Sequence, residues 1–435
     1  MKNCVITLFG LAAVFCGCGS SEDEVKETVA PQEEQQKVTP GGETVVDTRG
    51  LELTAAQLAA VARNNDFAFN FVRGVSSADD IKGKSFVVSP LSLTYVLGMV
   101  NAGASGQTGE ELTTVLGFNG ETRESVNELC CQLIKGAPVV DSKVRLRLAD
   151  MVAVREGLQL NDDYSAAIAE SYQASTASLP FGKSEAVDYV NAWCSRQTEG
   201  VIPRIVDEFS SQTVLALLNA VYFKAPWSGR FDASATRSET FTREDGSTVE
   251  LPMMRRMDGA YYSSGKDFAT LGLPYGDGRH WRMYVLLPNE DKTVSDVLSQ
   301  LTQSQWSSVK ASLGRDASVV DVWLPRFSAE NELELNGVLM GMGLQSMFKA
   351  CHEFDIFVNA DVDPFVSLVR QRAAIEVSEE GTEAAAVTIA EMDSACSPDG
   401  GGNSYVPQFH ATRPFVYIIQ EETSGAIFFI GTYRG

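Results

Sequence analysis

The chain has 435 residues, of which 44% are apolar, so it can bury a large core and is not disordered over most of its length. Its formal net charge is −22 and no basic run occurs, which argues against a nucleic-acid partner, because phosphate binding requires a positive surface. Acidity of this size is typical of a soluble surface.

The first residues are typical of a secretion signal. Lys2 precedes an apolar run from Val5 to Phe15, which is too short to span a bilayer as a stable helix but fits a signal-peptide core. Gly17 then precedes Cys18, and a small residue before a cysteine is what a lipoprotein signal peptidase needs. We therefore predict a signal peptide over residues 1–17 and lipid on Cys18. The alternative is an ordinary cleavable signal with incidental cysteines.

Residues 18–50 are predicted to form a disordered acidic tether. They begin with Gly-Ser-Ser-Glu-Asp-Glu after the cysteine, which is similar to the surface-export signal of lipoproteins in the Bacteroides group. Glu, Gln, Thr, Pro and Gly follow, with too few large apolar residues to fold. We expect a monomer that is attached through Cys18 to the outer membrane and is surface-exposed or extracellular.

Helix signals dominate the first third of the remaining chain. Pairs that are typical of capped helix starts occur three times: Thr54 with Gln57, Ser89 with Pro90, and Thr108 with Glu111. Gly117 is placed to end the third helix.

Strand signals dominate the later part of the chain. Apolar or alternating runs predict strands at Val214–Phe223, Met283–Leu287 and Val319–Leu324, and a C-terminal hairpin of Phe415–Ile419 with Ala426–Gly431. Helices followed by strands indicate an α+β fold. Because no repeat or break in composition occurs, we predict a single domain over residues 51–435.

Residues for catalysis or metal binding are not found in any known pattern. The three histidines, His280, His352 and His410, have no metal-ligand spacing, and no G-x-S-x-G or phosphate-binding loop occurs. The adjacent carboxylates of Glu379 and Glu380 would point to opposite faces of a strand. We predict that the protein is not an enzyme and needs no metal or cofactor.

Five cysteines lie beyond the signal region, namely Cys130, Cys131, Cys194, Cys351 and Cys396. An odd number cannot all pair within one chain, and no C-x-x-C spacing indicates zinc. We expect most of them to be buried free thiols.

The segment after Val377 combines two conflicting patterns. At alternate positions from Thr382 to Met392 every residue is small or apolar, whereas Glu383, Glu391 and Asp393 fall on the other face, as in a half-buried strand. By contrast, Ser397-Pro398-Asp399 and the three glycines that follow indicate a loop. This combination indicates two states, one exposed and one inserted between strands. An alanine-rich surface helix is the alternative.

The same segment carries a family resemblance. The run Glu379, Glu380, Gly381, Thr382, Glu383, Ala384, Ala385 and Ala386 resembles the loop hinge of inhibitory serpins. Further motifs occur in family order: Phe86–Ser92, Leu218–Trp227, Pro252-Met253-Met254, Leu273-Pro274-Tyr275, Leu324–Phe327 and Arg413-Pro414-Phe415. Together they extend over most of the chain from Thr54 to Gly435.

The resemblance implies a serpin fold of about nine helices and three β-sheets, with an exposed reactive-centre loop at about residues 379–412. It implies a suicide inhibitor: a protease cleaves the loop, and the loop inserts into the large sheet before the acyl-enzyme is hydrolysed. It assigns Ser89, Ser92, Asn219 and Gln371 to the polar shutter that controls sheet opening. Gln371 stands where many members carry histidine, so this position cannot titrate near neutrality.

The resemblance also implies the cleaved bond. The usual family offset of fourteen residues from the hinge glycine places it at Ala395–Cys396, with Met392 and Ser394 as alternatives, and counting back from Arg413 gives a position nearer Asn403. A small residue at the bond favours elastase-like serine proteases, with papain-like cysteine proteases as secondary targets. Two other functions stay open, a non-inhibitory serpin-fold carrier and a lipoprotein hydrolase.

Overall fold

The described residues contain both helices and strands, and the two kinds of element are more interspersed along the chain than the sequence predicts. The computed structural model describes residues 50–313, 318–350, 353–358, 364–382 and 406–435, and nine α-helices occur within these ranges. The helices are α1 (Ala55–Ser77), α2 (Pro90–Gly103), α3 (Gly106–Val115), α4 (Arg123–Gly136), α5 (Asp162–Tyr172), α6 (Ser184–Gln197), α7 (Val294–Gln300), α8 (Gln303–Ser312) and α9 (Asn336–Gly341).

The same ranges contain fifteen strands. They are β1 (Phe86–Val88), β2 (Arg145–Arg155), β3 (Ser175–Leu179), β4 (Leu215–Pro226), β5 (Arg237–Thr242), β6 (Thr248–Ser264), β7 (Phe268–Tyr275), β8 (Trp281–Pro288), β9 (Ser318–Pro325), β10 (Phe327–Glu334), β11 (Val366–Val377), β12 (Gly381–Thr382), β13 (Gln408–His410), β14 (Phe415–Glu421) and β15 (Ile427–Tyr433). The α+β prediction is therefore confirmed.

Two of the three predicted helix starts are confirmed. Thr54 forms a complete capping box with Gln57, and the Ser89 hydroxyl accepts a hydrogen bond from a backbone N–H of α2. The third prediction is wrong, because α3 begins at Gly106 rather than after Thr108. The distant carboxylate of Glu353 accepts hydrogen bonds from the first backbone N–H groups of α3 and so replaces a local cap.

The larger of the two hydrogen-bonded sheets has nine strands and two portions. Its order is β1-β15-β14-β8-β7-β6-β9-β13, and β5 pairs with β6. The long strand β6 pairs with β9 through Met253–Ala260 and with β7 through Tyr261–Ser264, so it joins the two portions. With the second sheet, these portions make the three sheets of the predicted fold.

The second sheet has six strands in the order β10-β11-β12-β4-β2-β3. Its two central long strands, β4 and β11, run parallel and pair directly from Leu215 with Val366 to Tyr222 with Ala374. Beyond the pair of Tyr222 and Ala374, the short strand β12 lies between β4 and β11 and is antiparallel to both. We call the junction between β4 and β11 the seam. Its strands are parallel, and β12 already lies between them at the end where β11 finishes.

The two faces of β4 are buried in different cores. Leu217, Val221 and Phe223 belong to the main core beneath the sheet. Leu218 and Ala220 belong to a smaller core that includes Trp193 of α6. Burial on both faces explains the continuous apolar run of this strand. Across the described residues, no helix is both long and apolar enough to cross a membrane.

Candidate functional site

The proximal end of the predicted loop is a tight bend that returns the chain into the six-stranded sheet. After Val377 ends β11, the Ser378 N–H donates to the Gly381 carbonyl at 2.8 Å. Glu379 and Glu380 lie in this bend and not on a strand, which corrects the expectation that they sit on opposite faces of one. Gly381 has a φ of 151°, and a Cβ there would lie 2.1 Å from the Ala225 carbonyl oxygen, so only glycine fits.

Thr382 lies inside the sheet. It pairs with Val377 of β11 on one side and with Ala225 of β4 on the other, and it is 0% exposed. Its hydroxyl shares a 2.6 Å hydrogen bond with the hydroxyl of Tyr275, whose ring stacks on Trp227 at a centroid distance of 4.3 Å. A small side chain with one hydroxyl therefore fills the start of the seam.

The bend is fixed by an ion pair between the buried Glu379 carboxylate and the half-exposed side chain of Arg326. Arg326 donates two hydrogen bonds to the Glu379 carboxylate, at 3.1 and 2.5 Å, and the Thr236 hydroxyl donates a third at 2.6 Å. Burial raises the pKa of Glu379, but the bonds from Arg326 and Thr236 outweigh burial and hold this pKa below its usual value. The indole N–H of Trp227 also donates to the Ser378 carbonyl at 2.9 Å.

The four predicted shutter residues lie together beneath the middle of the seam. Gln371 on β11 donates one amide hydrogen to the Ser89 carbonyl and the other to the Asn219 side-chain oxygen, each at 2.9 Å, and accepts from the Ser89 N–H. Asn219 on β4 donates to the Ser92 hydroxyl. All four are buried, so the shutter cluster of these residues connects β4, β11 and the start of α2.

A fifth member of this cluster was not identified from the sequence. Asp150 on β2 is 3% exposed and accepts a 2.7 Å hydrogen bond from the Asn219 amide. Burial raises its pKa to about 7, although the bond from Asn219 opposes this. The available signal was a single acidic residue inside the apolar run Leu148–Val154.

The distal end of the predicted loop is also held in a sheet. Gln408–His410 forms β13, which pairs in parallel with β9. The His410 imidazole lies 2.9 Å from the Asp321 carboxylate and stacks on the Trp323 ring. The predicted loop of residues 379–412 thus has a short strand near each end, β12 and β13.

The other predicted loop and lipidation positions lie outside the described residues. They are Cys18, Glu383, Ala384, Ala385, Ala386, Met392, Ser394, Ala395 and Cys396.

Cysteine and metal chemistry is not supported by the described part of the chain. Cys130, Cys131 and Cys194 are free thiols, and burial raises the pKa of both Cys130 and Cys194 to about 12, so neither is a ready nucleophile at neutral pH. Within those residues, no group of three or more His, Cys, Asp or Glu side chains is placed to hold a metal ion.

Comparisons with known proteins agree with this geometry. A family model described as "Serpin (serine protease inhibitor)" matches residues 62–434. Serpin-Z10 of Arabidopsis thaliana is 31% identical over 383 residues, which cover 86% of this chain and 97% of that protein.

Two solved structures have the same fold. Tengpin, a thermophilic serpin in its native state, has a TM-score of 0.78 and 23% identity and covers 89% of this chain and 96% of its own. Human thyroxine-binding globulin has a TM-score of 0.77 and 24% identity, covering 87% and 98%. The family match over residues 62–434 and the 31% identity to Serpin-Z10 show that the chain belongs to the serpin family, which is described as serine protease inhibitors and whose members are generally not enzymes.

Proposed function

We propose that this protein is a suicide inhibitor of serine proteases that traps the acyl-enzyme by inserting its cleaved loop between β4 and β11. The observation that carries the proposal is Thr382, a small residue that is fully buried in the seam and antiparallel to both neighbours. Insertion would then extend a strand that has already begun.

The pairing of Thr382 with Ala225 sets the register of any further insertion, and so determines which loop residue would lie opposite each residue of β4. Thr382 lies opposite Ala225, so an antiparallel continuation along β4 would place residue 384 opposite Phe223 and residue 386 opposite Val221. Both positions are alanine, and both partners are large side chains of the main core. The inserted strand would therefore bring small side chains to the two positions where the packed main core has little free space.

The same register places a polar residue at the shutter cluster. Residue 388 would come opposite Asn219 on β4 and opposite Gln371 on β11. This residue is threonine, whose hydroxyl can both donate and accept. The insertable strand thus supplies a hydrogen-bonding group at the level where the Gln371–Asn219 bond must break.

We place the cleaved bond at Ala395–Cys396, with Met392 and Ser394 as alternatives. Cleavage there leaves residues 382–395 for insertion, a strand of about 46 Å at 3.3 Å per residue. That length exceeds what is needed to reach Leu215 at the other end of β4, since residue 392 would lie opposite it. The small Ala395 favours elastase-like serine proteases, and papain-like cysteine proteases are secondary targets.

Covalent trapping is the test of this function. The purified domain of residues 51–435 is mixed with pancreatic elastase, a papain-type protease and trypsin, and the products are run on denaturing gels after boiling. A stable one-to-one complex with elastase supports the proposal. Cleavage of the loop without any trapped protease across the panel contradicts it.

A carrier function is the second candidate, because the thyroxine-binding globulin structure shares this fold and is a complex with thyroxine. Fold alone therefore does not separate the two functions. The hinge does, since a carrier has no need of small residues at positions 382, 384 and 386. A protein that stays cleavable but never traps would favour the carrier.

We also propose that the mature protein is an outer-membrane lipoprotein, resembling those of the Bacteroides group, with lipid on Cys18 and the inhibitor exposed at the surface. Residues 18–50 would then separate the inhibitor from the membrane. The support is the sequence pattern around Cys18 and the acidic patch that follows it.

A further inference from the structure

The buried carboxyl of Asp150 occupies a position that links the shutter cluster to the rest of the sheet. Asp150 lies directly opposite Asn219 in the antiparallel pair of β2 and β4. The Asn219 amide nitrogen donates to Asp150 and to Ser92, while the Asn219 oxygen accepts from Gln371 across the seam. The Asn219 side chain, which joins β4 to β11 through Gln371, is thus held in its orientation by the hydrogen bond to Asp150 on β2.

The surroundings of this carboxyl suit its neutral form. Its hydrogen-bond donor in the described structure is the neutral amide of Asn219, and no cationic side chain among the described residues interacts with it. Arg370 and Arg372, the cations that flank Gln371 on β11, bond to carboxylates of β10 instead. An ionised carboxylate buried without a cation is strongly disfavoured.

The other titratable groups that face Asp150 do not change charge near neutrality. They are Tyr95 on α2 and Cys130 on α4. Burial raises the pKa of Tyr95 well above its usual value and that of Cys130 to about 12. The partners on β4 and β11, Asn219 and Gln371, have no charge to change. In this cluster, Asp150 alone titrates in the physiological range.

We propose that Asp150 is a positioning residue whose protonation keeps the seam between β4 and β11 closed, and whose ionisation makes the seam easier to open. On ionisation the proton passes to solvent, and the closed sheet is left with a buried anion. Opening the seam admits water to this carboxylate, so the ionised form favours the open sheet. Loop insertion is therefore faster above neutral pH than below it, even though Gln371 cannot titrate.

The first test needs no protease. Urea unfolding, followed by tryptophan fluorescence, is measured from pH 5 to 8.5 for wild type, Asp150→Asn and the exposed control Asp79→Asn. Between about pH 4 and 7 the folded state keeps a proton that the unfolded chain has released, so raising the pH favours unfolding by up to about tenfold per pH unit in wild type. Asp150→Asn should lack this component and Asp79→Asn should keep it. Parallel profiles for wild type and Asp150→Asn would overturn the proposal.

The second test follows loop insertion and rests on the proposed function. The rate of complex formation with elastase, relative to loop cleavage, should rise with pH through neutrality in wild type and not in Asp150→Asn. A rise of equal size in both overturns the proposal. Failure of all variants to trap protease at any pH would refute the inhibitory function, while the urea profiles would still decide the role of Asp150.

A third measurement uses wild type alone and covers the case in which Asp150→Asn does not fold. Infrared spectra should show a protonated buried carboxyl at pH 6 that disappears as the pH is raised above 8. Its absence at pH 6 would overturn the proposal.

Discussion

Replacing Thr382 with arginine should convert the inhibitor into a substrate. In the native protein this side chain is enclosed by β11, β4 and Tyr275 and has no access to solvent. Arginine is far longer and always charged, so it would have to leave the seam or be buried there. As the first residue of the inserted strand, it would have to enter the seam whenever the loop inserts.

The size of the effect follows from that burial. Glu379, the buried carboxylate of the bend, is already bonded to Arg326 and Thr236 and is not a free partner for a second guanidinium. Burying an unpaired charge costs several kcal/mol, and about 4 kcal/mol added to the barrier slows insertion about a thousandfold. Hydrolysis of the acyl-enzyme then outruns insertion.

The assay is the stoichiometry of inhibition of elastase, read on denaturing gels beside a titration of residual activity. Thr382→Ser keeps a small hydroxyl at the same position and should trap with wild-type stoichiometry. Glu380→Arg adds a long cation in the bend, outside the sheet, and should trap as well. If Thr382→Arg traps as efficiently as Thr382→Ser, insertion does not proceed through this hinge.

Further predictions concern the seam, the bend, the anchor and the cleaved bond. Thr388→Val should slow insertion, because Asn219 would lose its bond to Gln371 without a replacement, whereas Thr388→Ser should not; equal trapping by the two variants would contradict the proposed register. Glu379→Gln should lower the free energy of unfolding by about 1–3 kcal/mol at pH 7. Because the pKa of Glu379 is lowered in the folded state, this contribution is present above the unfolded pKa and is lost as the pH falls, so urea midpoints of wild type and variant should converge in acid. Cys18→Ala should move the protein from the membrane to the soluble fraction, and unchanged fractionation would exclude the lipid assignment. Mass spectrometry of the peptide released from an elastase complex should give an N-terminus at Cys396, and a different start would refute that bond.

Local features of the fold could be predicted from the sequence because short-range patterns determine them. The capping box at Thr54 and the cap at Ser89 involve residues three apart, and the apolar run of β4 reflects burial on both faces. The start of α3 could not be predicted in this way. Its cap is Glu353, a carboxylate 245 residues from Thr108 in the chain, and no local pattern at Thr108 indicates such a contact.

The candidate site was predictable to a similar extent. The resemblance assigned Ser89, Ser92, Asn219 and Gln371 to one cluster, and the structure brings these four together. Asp150 was missed because an acidic residue in an apolar run does not itself reveal which strand lies opposite. Only the pairing of β2 with β4 places it against Asn219.

The strand directions in the six-stranded sheet explain why the native fold can favour insertion. In the described structure β4 and β11 form a parallel ladder across the seam, and β12 is antiparallel to each of them. A strand continued from β12 would replace one parallel ladder by two antiparallel ladders, and antiparallel pairing is the more stable per residue. It would also bury alanines against a core that is already packed, rather than open a new one. In the proposed mechanism, the free energy for trapping a protease would therefore come from completing this sheet, with Thr382 placed at the entrance of the seam and Asp150 beside the hydrogen bonds that close it.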